Sequence, residues 1–172
     1  MIIPVLTTDR LTLREPREAD VEHEAKFFAT DRSKFVNGPL SKPDVWRAIA
    51  MLIGHWHIRG FGFWGVEDRN TGEYYGHVGL WYPGGWPEPE IGWTVMENAE
   101  GKGIAHEAAL AARKHAYDTL GWATAISLVD PQNIRSVKLA ERMGCVFERD
   151  FVHETFGPMH IWRHPAPSEV AA

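Results

Sequence analysis

The segment Glu97-Asn98-Ala99-Glu100-Gly101-Lys102-Gly103-Ile104-Ala105-His106-Glu107-Ala108 constrains this chain more than any other. An apolar run, Ile91 to Met96, leads into it, and an alanine-rich run of helical period leaves it and continues to about Leu120. The unit is strand, glycine turn, helix. Gly101 and Gly103 remove side chains where the helix begins. First-turn N–H groups, which lack an intrahelical partner, can then approach an anion, and the helix dipole favours negative charge there. A pyrophosphate suits such a site, but so does a merely tight turn, since glycine serves both. Two nucleotide-binding alternatives fail on pattern. A P-loop needs Gly-Lys followed by Ser or Thr, whereas Lys102 precedes Gly103 with no hydroxyl after it. A dinucleotide fingerprint belongs to an early parallel β-α-β unit, whereas this turn follows a meander in mid-chain.

The flanking segments fill in the architecture. Leu11 to Arg14 alternates as a short strand. Pro16 with Glu18, Ala19 and Asp20 opens a helix that carries Val21, Ala25 and Phe28 on one face and ends near Thr30. Ser41-Lys42-Pro43-Asp44 combines a hydroxyl cap, an early proline and an acid, and the helix it starts runs to Gly60. The period then changes to two. Phe61 to Glu67 and Tyr74 to Trp81 read as antiparallel strands joined through Asn70-Thr71-Gly72. Ala125 to Val129 reads as a buried strand, and Asn133 to Met143 as a helix closed by Gly144. Val146 to Phe156 and Met159 to Arg163 form a terminal hairpin about Gly157-Pro158. The order β-α-α-β-β-β-α-β-α-β-β indicates a mixed α/β (α+β) sandwich, one largely antiparallel sheet flanked by helices.

A chain of 172 residues, 44% apolar with eight Trp, fits one packed domain. We expect that domain over residues 1–164 and a flexible tail over 165–172. Eighteen basic against 23 acidic residues give a net charge of −5 with no basic stripe, so direct nucleic-acid binding is not expected. One Cys excludes an internal disulfide. The opening Met1-Ile2-Ile3-Pro4 lacks a basic region followed by a long apolar one, and no apolar run is long enough to span a bilayer. The expected address is the cytoplasm, without membrane attachment.

Glu100-Gly101-Lys102-Gly103-Ile104-Ala105 resembles the coenzyme motif of the GNAT N-acetyltransferase superfamily, Gln/Arg-x-x-Gly-x-Gly/Ala, at its Gly and Ala. Together with Glu90-Ile91-Gly92-Trp93, Asn133-Ile134-Arg135-Ser136, Leu139-Ala140-Glu141-Arg142-Met143-Gly144 and the opening Thr8-Asp9-Arg10-Leu11-Thr12-Leu13-Arg14, the whole chain is similar to the RimJ/RimL-type branch. The resemblance implies a GNAT-like central mixed sheet of about seven strands with four helices. It also implies an acyltransferase that moves the acetyl group of acetyl-CoA to a primary amine, with no metal. Acetyl-CoA would lie where the strand of Trp93 to Met96 splays from that of Ala125 to Val129. Its pantetheine would pair with backbone near Val95 and Met96, and amides of Gly101, Lys102, Gly103, Ile104, Ala105 and His106 would hold the pyrophosphate. By the same likeness Asn133 bonds the pantetheine arm, and Ser136 lies near the sulfur. Asn133 can also simply cap its helix.

Direct transfer needs a neutral amine and hence a base. Glu90, in the Glu-Ile-Gly context of the resembling branch, is the first candidate; Glu88 and His77 follow, His77 for a pKa suited to neutral pH. A backbone N–H near Val95 or Met96 would stabilise the carbonyl oxygen. There are two departures from the family pattern. Glu100 stands where relatives have Arg or Gln, and its charge must point away from a diphosphate. Ala140 stands where many carry the Tyr that protonates the leaving thiolate, which leaves Ser136 or a water for that step. These departures motivate the alternative of a non-catalytic CoA-binding sensor or partner-binding module. The acceptor, a protein N-terminus or a small amine, stays open, as does the choice between monomer and a homodimer paired through the terminal hairpin's edge.

Nine His include the pair His55 and His57, whose helical spacing points them to different faces, so no metal site is expected. Trp56, Phe61, Phe63, Trp64, Trp81, Trp86 and Trp93 suit a core better than a binding wall, with Trp81 and Trp86 beside the Pro-rich loop as the exceptions. Cys145 reads as buried and inert.

Overall fold

The structure is a computed structural model and describes residues 2–170. Its strands are β1 (Leu6–Thr7), β2 (Leu11–Arg14), β3 (Phe63–Asp68), β4 (Tyr74–Trp81), β5 (Glu90–Val95), β6 (Ile126–Val129), β7 (Val146–His153) and β8 (Gly157–Arg163). The helices are α1 (Val21–Phe28), α2 (Lys42–Arg59), α3 (Ile104–Asp118), α4 (Ile134–Arg142) and a single turn, α5 (Pro167–Val170). Of the expected flexible tail, residues 171 and 172 lie outside the described residues. One eight-stranded sheet takes the order β1-β2-β3-β4-β5-β6-β8-β7. Every neighbouring pair is antiparallel except β5 with β6.

Local chemistry explains most boundaries. Ser41 caps α2 by accepting from Asp44 N–H, and Gly60, at φ 78°, closes it in the left-handed conformation that glycine adopts at least cost. Asn133 caps α4 by accepting from Ser136 N–H. The structure departs from the sequence reading in several places, among them α5, a fifth helix within the stretch expected to be a flexible tail. β1, only two residues long, is an eighth strand too short to carry a period. Asp31–Val36 forms a 3-10 segment where a loop is expected. The terminal hairpin turns at 154–156, and Gly157-Pro158 lies within β8. Pro158 is tolerated because β6 pairs with β8 only from His160 to Arg163, so no ladder bond to β6 is asked of it.

Alternation along β4 and β5 divides the core. One cluster sets Val78, Leu80 and Ile91 against α3 through Ala108, Ala109, Ala112 and Ala116, and against α4 through Leu139 and Ala140. Alanines let α3 approach the sheet closely. The other cluster sets Phe63 and Trp81 under α1 and α2 through Val21, Phe28, Val45, Ile49 and Leu52.

A buried ion network seats α1 on its face. Arg14 donates to both oxygens of Asp20 (2.7 and 2.6 Å) and to Glu67 (2.8 and 2.6 Å), with Arg14 and Asp20 only 4% and 2% exposed. Asp20 also accepts from Arg17 N–H at 2.8 Å, which fixes the turn that leads into α1. Removing one member of such a group leaves a buried charge uncompensated. Asp20→Ala is therefore expected to cost roughly 3 kcal/mol in urea unfolding, whereas Glu22→Ala, an exposed partner of Lys42, is expected to change little.

Candidate active site

β5 and β6 run parallel but share a single residue pair, Glu90 with Ile126, and then diverge. Beyond that pair, side chains replace the missing ladder. Ser127 Oγ donates to Ile91 O at 2.6 Å, and Leu128 N–H donates to Glu90 Oε1 at 3.0 Å. Ser127 Oγ in turn meets His164 Nε2 at 2.9 Å. Burial first, then Arg113 and Arg163, pushes the His164 pKa down to about 3. The ring is thus neutral, and with Ser127 donating to Ile91, its Nε2 carries the proton of that bond. A gap opens past this strut. Strand alternation turns the main-chain groups of Trp93 and Val95 to the Ile91 side, away from β4 and into the gap.

Val95 thus keeps a free edge, but Met96 does not. Met96 N–H donates to Tyr75 O at 2.9 Å and Met96 O accepts from Ala99 N–H at 3.0 Å, so the expected pairing through Met96 is not available. The glycine turn stands at the far end of the gap. Gly103, at φ 76°, is the N-cap of α3, and unlike Ser41 or Asn133 it brings no side-chain acceptor to the first turn. The amides of Ile104, Ala105 and His106 are left for an outside acceptor. Gly101, at φ 71°, has nothing within 4 Å of where a Cβ would stand. Lys102 is exposed, and its carbonyl accepts from Arg10 Nη1 at 2.9 Å. Glu107, an acid in the same turn, is engaged by Thr8 Oγ1 (2.5 Å), Arg10 N (3.0 Å) and Arg10 Nε (2.7 Å). Glu100 is held by Arg32 and by Arg135, the latter at 2.5 Å, so its charge is balanced.

The gap continues beneath α1 and α2 as a cleft of about 270 Å³. Glu90, Trp93, Asn133 and Ser136 line it on the β5–α4 side. Trp93 Nε1–H donates to Ser136 Oγ at 3.1 Å, leaving the hydroxyl proton free for a further acceptor. Glu90 is 7% exposed and also accepts from Trp86 Nε1–H at 2.5 Å. Burial pushes its carboxyl up to about 8 despite these two hydrogen bonds, which pull the other way. Ala140 is fully buried, packed in the core with α3, and supplies no acid.

A family model, Acetyltransferase (GNAT) domain, matches residues 10–146. The chain belongs to the GNAT acetyltransferase family. A crystal structure of an acetyltransferase from Agrobacterium tumefaciens is 36% identical, with 96% of each chain covered and a TM-score of 0.87. An uncharacterized N-acetyltransferase of Bacillus subtilis, YoaA, is 27% identical over 148 residues, 83% of each chain. The fold is shared with RimL, a ribosomal L7/L12 alpha-N-protein acetyltransferase solved with coenzyme A, at 15% identity, TM-score 0.77, and 95% and 98% coverage. This GNAT protein is accordingly an acyltransferase, of a family whose cosubstrate is acetyl-CoA.

Within this GNAT domain the structure brings Glu90, Ser136 and Asn133 to one cleft with His77, but not Glu88. Both Glu88 oxygens are spent on Arg163, at 2.6 and 2.9 Å. His77 is held instead by Glu24, an acid on α1 absent from the sequence candidates. Glu24 Oε1 accepts from Tyr74 O–H at 2.6 Å and lies 2.8 Å from His77 Nδ1. The signal was present: Glu24 occupies the apolar face of α1, three residues after Val21 and four before Phe28. Trp81 and Trp86 do line the cleft, but so do Phe63 and Trp93, while Trp56 and Trp64 are core. Cys145 is buried, its thiol pushed up to about 12 by burial. His55 is occupied by Phe61 O (2.9 Å) and Tyr82 N–H (3.0 Å). Among the described residues no three His, Cys, Asp or Glu side chains converge, and no helix is long and apolar enough to cross a membrane.

Glu90 ties stability to pH. Folded, it holds its proton up to about 8; unfolded, it loses it near its ordinary 4.5. The folded state therefore binds the extra proton between those values, and its contribution declines as pH rises through them. We expect the melting temperature of the native protein to fall from pH 5 to pH 9 more steeply than that of Glu90→Gln; parallel curves would contradict the assigned burial.

Proposed function

We propose that this protein is an N-acetyltransferase in which a primary amine directly attacks the thioester carbonyl of acetyl-CoA, held in the gap between β5 and β6. The observation that carries the reading is the divergence of these strands beside a helix whose first turn lacks any side-chain cap. Pantetheine fits as an added strand along the free edge of Trp93 and Val95, with Asn133 beside it on α4. The diphosphate fits the amides of Ile104, Ala105 and His106, reached across Gly101, Lys102 and Gly103. Glu100 is bound by Arg32 and Arg135, which removes the repulsion that favoured a mere sensor.

Acetyl-CoA supplies the acetyl group as an activated thioester. Glu90 removes one proton from the arriving ammonium, which frees the nitrogen lone pair for attack. The main-chain N–H of Val95, facing the gap, stands to bond the carbonyl oxygen as it gains charge. The C–N bond forms and the C–S bond breaks. Ser136, aligned by Trp93, gives its proton to the departing sulfur and regains one from the nitrogen, which sheds its second proton through water. Net, an ammonium and a thioester become an amide, a thiol and one released proton. With a free thiol near 8.5, sulfur departure needs only modest help, so the missing Tyr is tolerable.

Because the base must be ionised, kcat/KM is expected to rise with pH to a plateau above about 8. Glu90→Gln is expected to lose that limb and about 10²-fold or more in kcat while still binding acetyl-CoA. An unchanged profile in thiol-release kinetics would remove Glu90 from this role. For the coenzyme, Gly103→Trp is expected to abolish acetyl-CoA binding in calorimetry, with the folded circular-dichroism spectrum retained; unchanged affinity would move the diphosphate elsewhere.

A further inference from the structure

The acceptor half of the cleft has a chemistry that neither open-groove peptide binding nor polycation binding would need. Its walls are apolar: Phe28 from α1, Phe35 from the 3-10 segment, Leu52 from α2, Phe63 and Trp81 from the sheet, and Trp86 from the loop before β5. Its acidic side chains are Glu24, Glu90 and Asp130, and among the described residues no Lys or Arg lines it. An acceptor bearing a carboxylate or phosphate would bury that group beside acids with no cation to pair it. A polyamine or aminoglycoside would bring several ammonium or hydroxyl groups against walls that are mostly apolar.

The floor sets where an amine can stand. On the face under α1 and α2, β5 presents Glu90, Gly92 and Thr94, and β4 presents Trp81, Gly79 and His77, with Glu90 opposite Trp81 and Thr94 opposite His77. Gly92 lies between the two acidic ends of this strip and is covered by the Phe63 ring, whose Cζ is 2.8 Å from where a Cβ would stand. At one end is Glu90. At the other is Glu24, whose side chain is 1% exposed and whose Oε2 has no hydrogen-bond partner, an arrangement that costs free energy in the absence of a ligand. Burial and the neighbouring Glu24 push the Tyr74 hydroxyl pKa well above its ordinary value, so Tyr74 donates to Oε1. His77 Nδ1 lies 2.8 Å from the same oxygen.

We infer that the acceptor is a compact primary amine on an aromatic or branched apolar body without an acidic group. Its nitrogen sits beside the Phe63 ring that covers Gly92, drawn by Glu90 and the Glu24–His77 pair, and its body lies against Phe63, Trp81 and Trp86. This rests on the acetyl-transfer reading above. The acidic strip draws in the ammonium, the apolar walls hold the rest, and the absence of a cation rejects amino acids.

The test compares 2-phenylethylamine with phenylalanine, which differ by one carboxylate, and with spermidine and an alanine-starting tetrapeptide, by thiol release from acetyl-CoA. We expect kcat/KM for 2-phenylethylamine to exceed that for phenylalanine at least a hundredfold and to exceed those for the other two. Glu24→Gln is expected to raise its KM at least tenfold. Ala48→Trp, which fills the cleft from half-buried α2, is expected to abolish its turnover with acetyl-CoA affinity unchanged. Protein that binds acetyl-CoA but fails to turn over 2-phenylethylamine, or prefers phenylalanine, spermidine or the peptide, overturns the acceptor class and leaves acetyl transfer standing. Protein that does not bind acetyl-CoA at all overturns both.

Discussion

Parallel neighbours in a sheet hold together through evenly spaced main-chain bonds, and where one strand turns away those bonds must be replaced or their groups left unpaired. Between β5 and β6 the replacement begins after one residue pair. The hydroxyl of Ser127 and the carboxylate of Glu90 each satisfy a group on the opposing strand, so the strands part without stranding Ile91 O or Leu128 N–H. Neutral His164, fixed behind Ser127, keeps the strut rigid. Past it, the edge of Trp93 and Val95 faces space rather than a strand. The opening is thus a built feature of the sheet.

The same device produces the chemistry. Glu90 bridges the parting strands and so must be buried, and burial lifts its proton affinity into the range where a base can act near neutral pH. One residue carries both roles, which links the stability of the splayed sheet to the protonation state that catalysis requires. Two further ion clusters hold the pieces around it. Arg14 with Asp20 and Glu67 seats α1, and with it Glu24, over the floor. Arg10 with Glu107 and the Lys102 carbonyl fastens the glycine turn from below.

Much of this was legible in the sequence because the signals are local. Ser41 and Gly60 bound α2 as read, Tyr74 to Trp81 is a strand over its predicted span, and Gly101-Lys102-Gly103 forms the turn into α3. What escaped depends on distant contacts. Ser127 and His164 are 37 positions apart and carry no shared pattern. Glu88 reads like Glu90 in sequence until Arg163, 75 residues on, takes both its oxygens. Met96 looks equivalent to Val95 until Tyr75 claims its amide. Glu24 was within reach, as an acid on a helix face whose other positions are apolar; what the sequence does not reveal is the Tyr74 and His77 that it meets.

Backbone hydrogen exchange on adding acetyl-CoA tests the central claim most directly, because the cosubstrate is assigned to main-chain groups that no side-chain substitution removes. The amide of Val95 and those of Ile104, Ala105 and His106 should slow together on binding, while Met96, already bonded to Tyr75, should not change. Protection that appears elsewhere, with these amides exchanging as before, would contradict the placement of coenzyme between the parted strands.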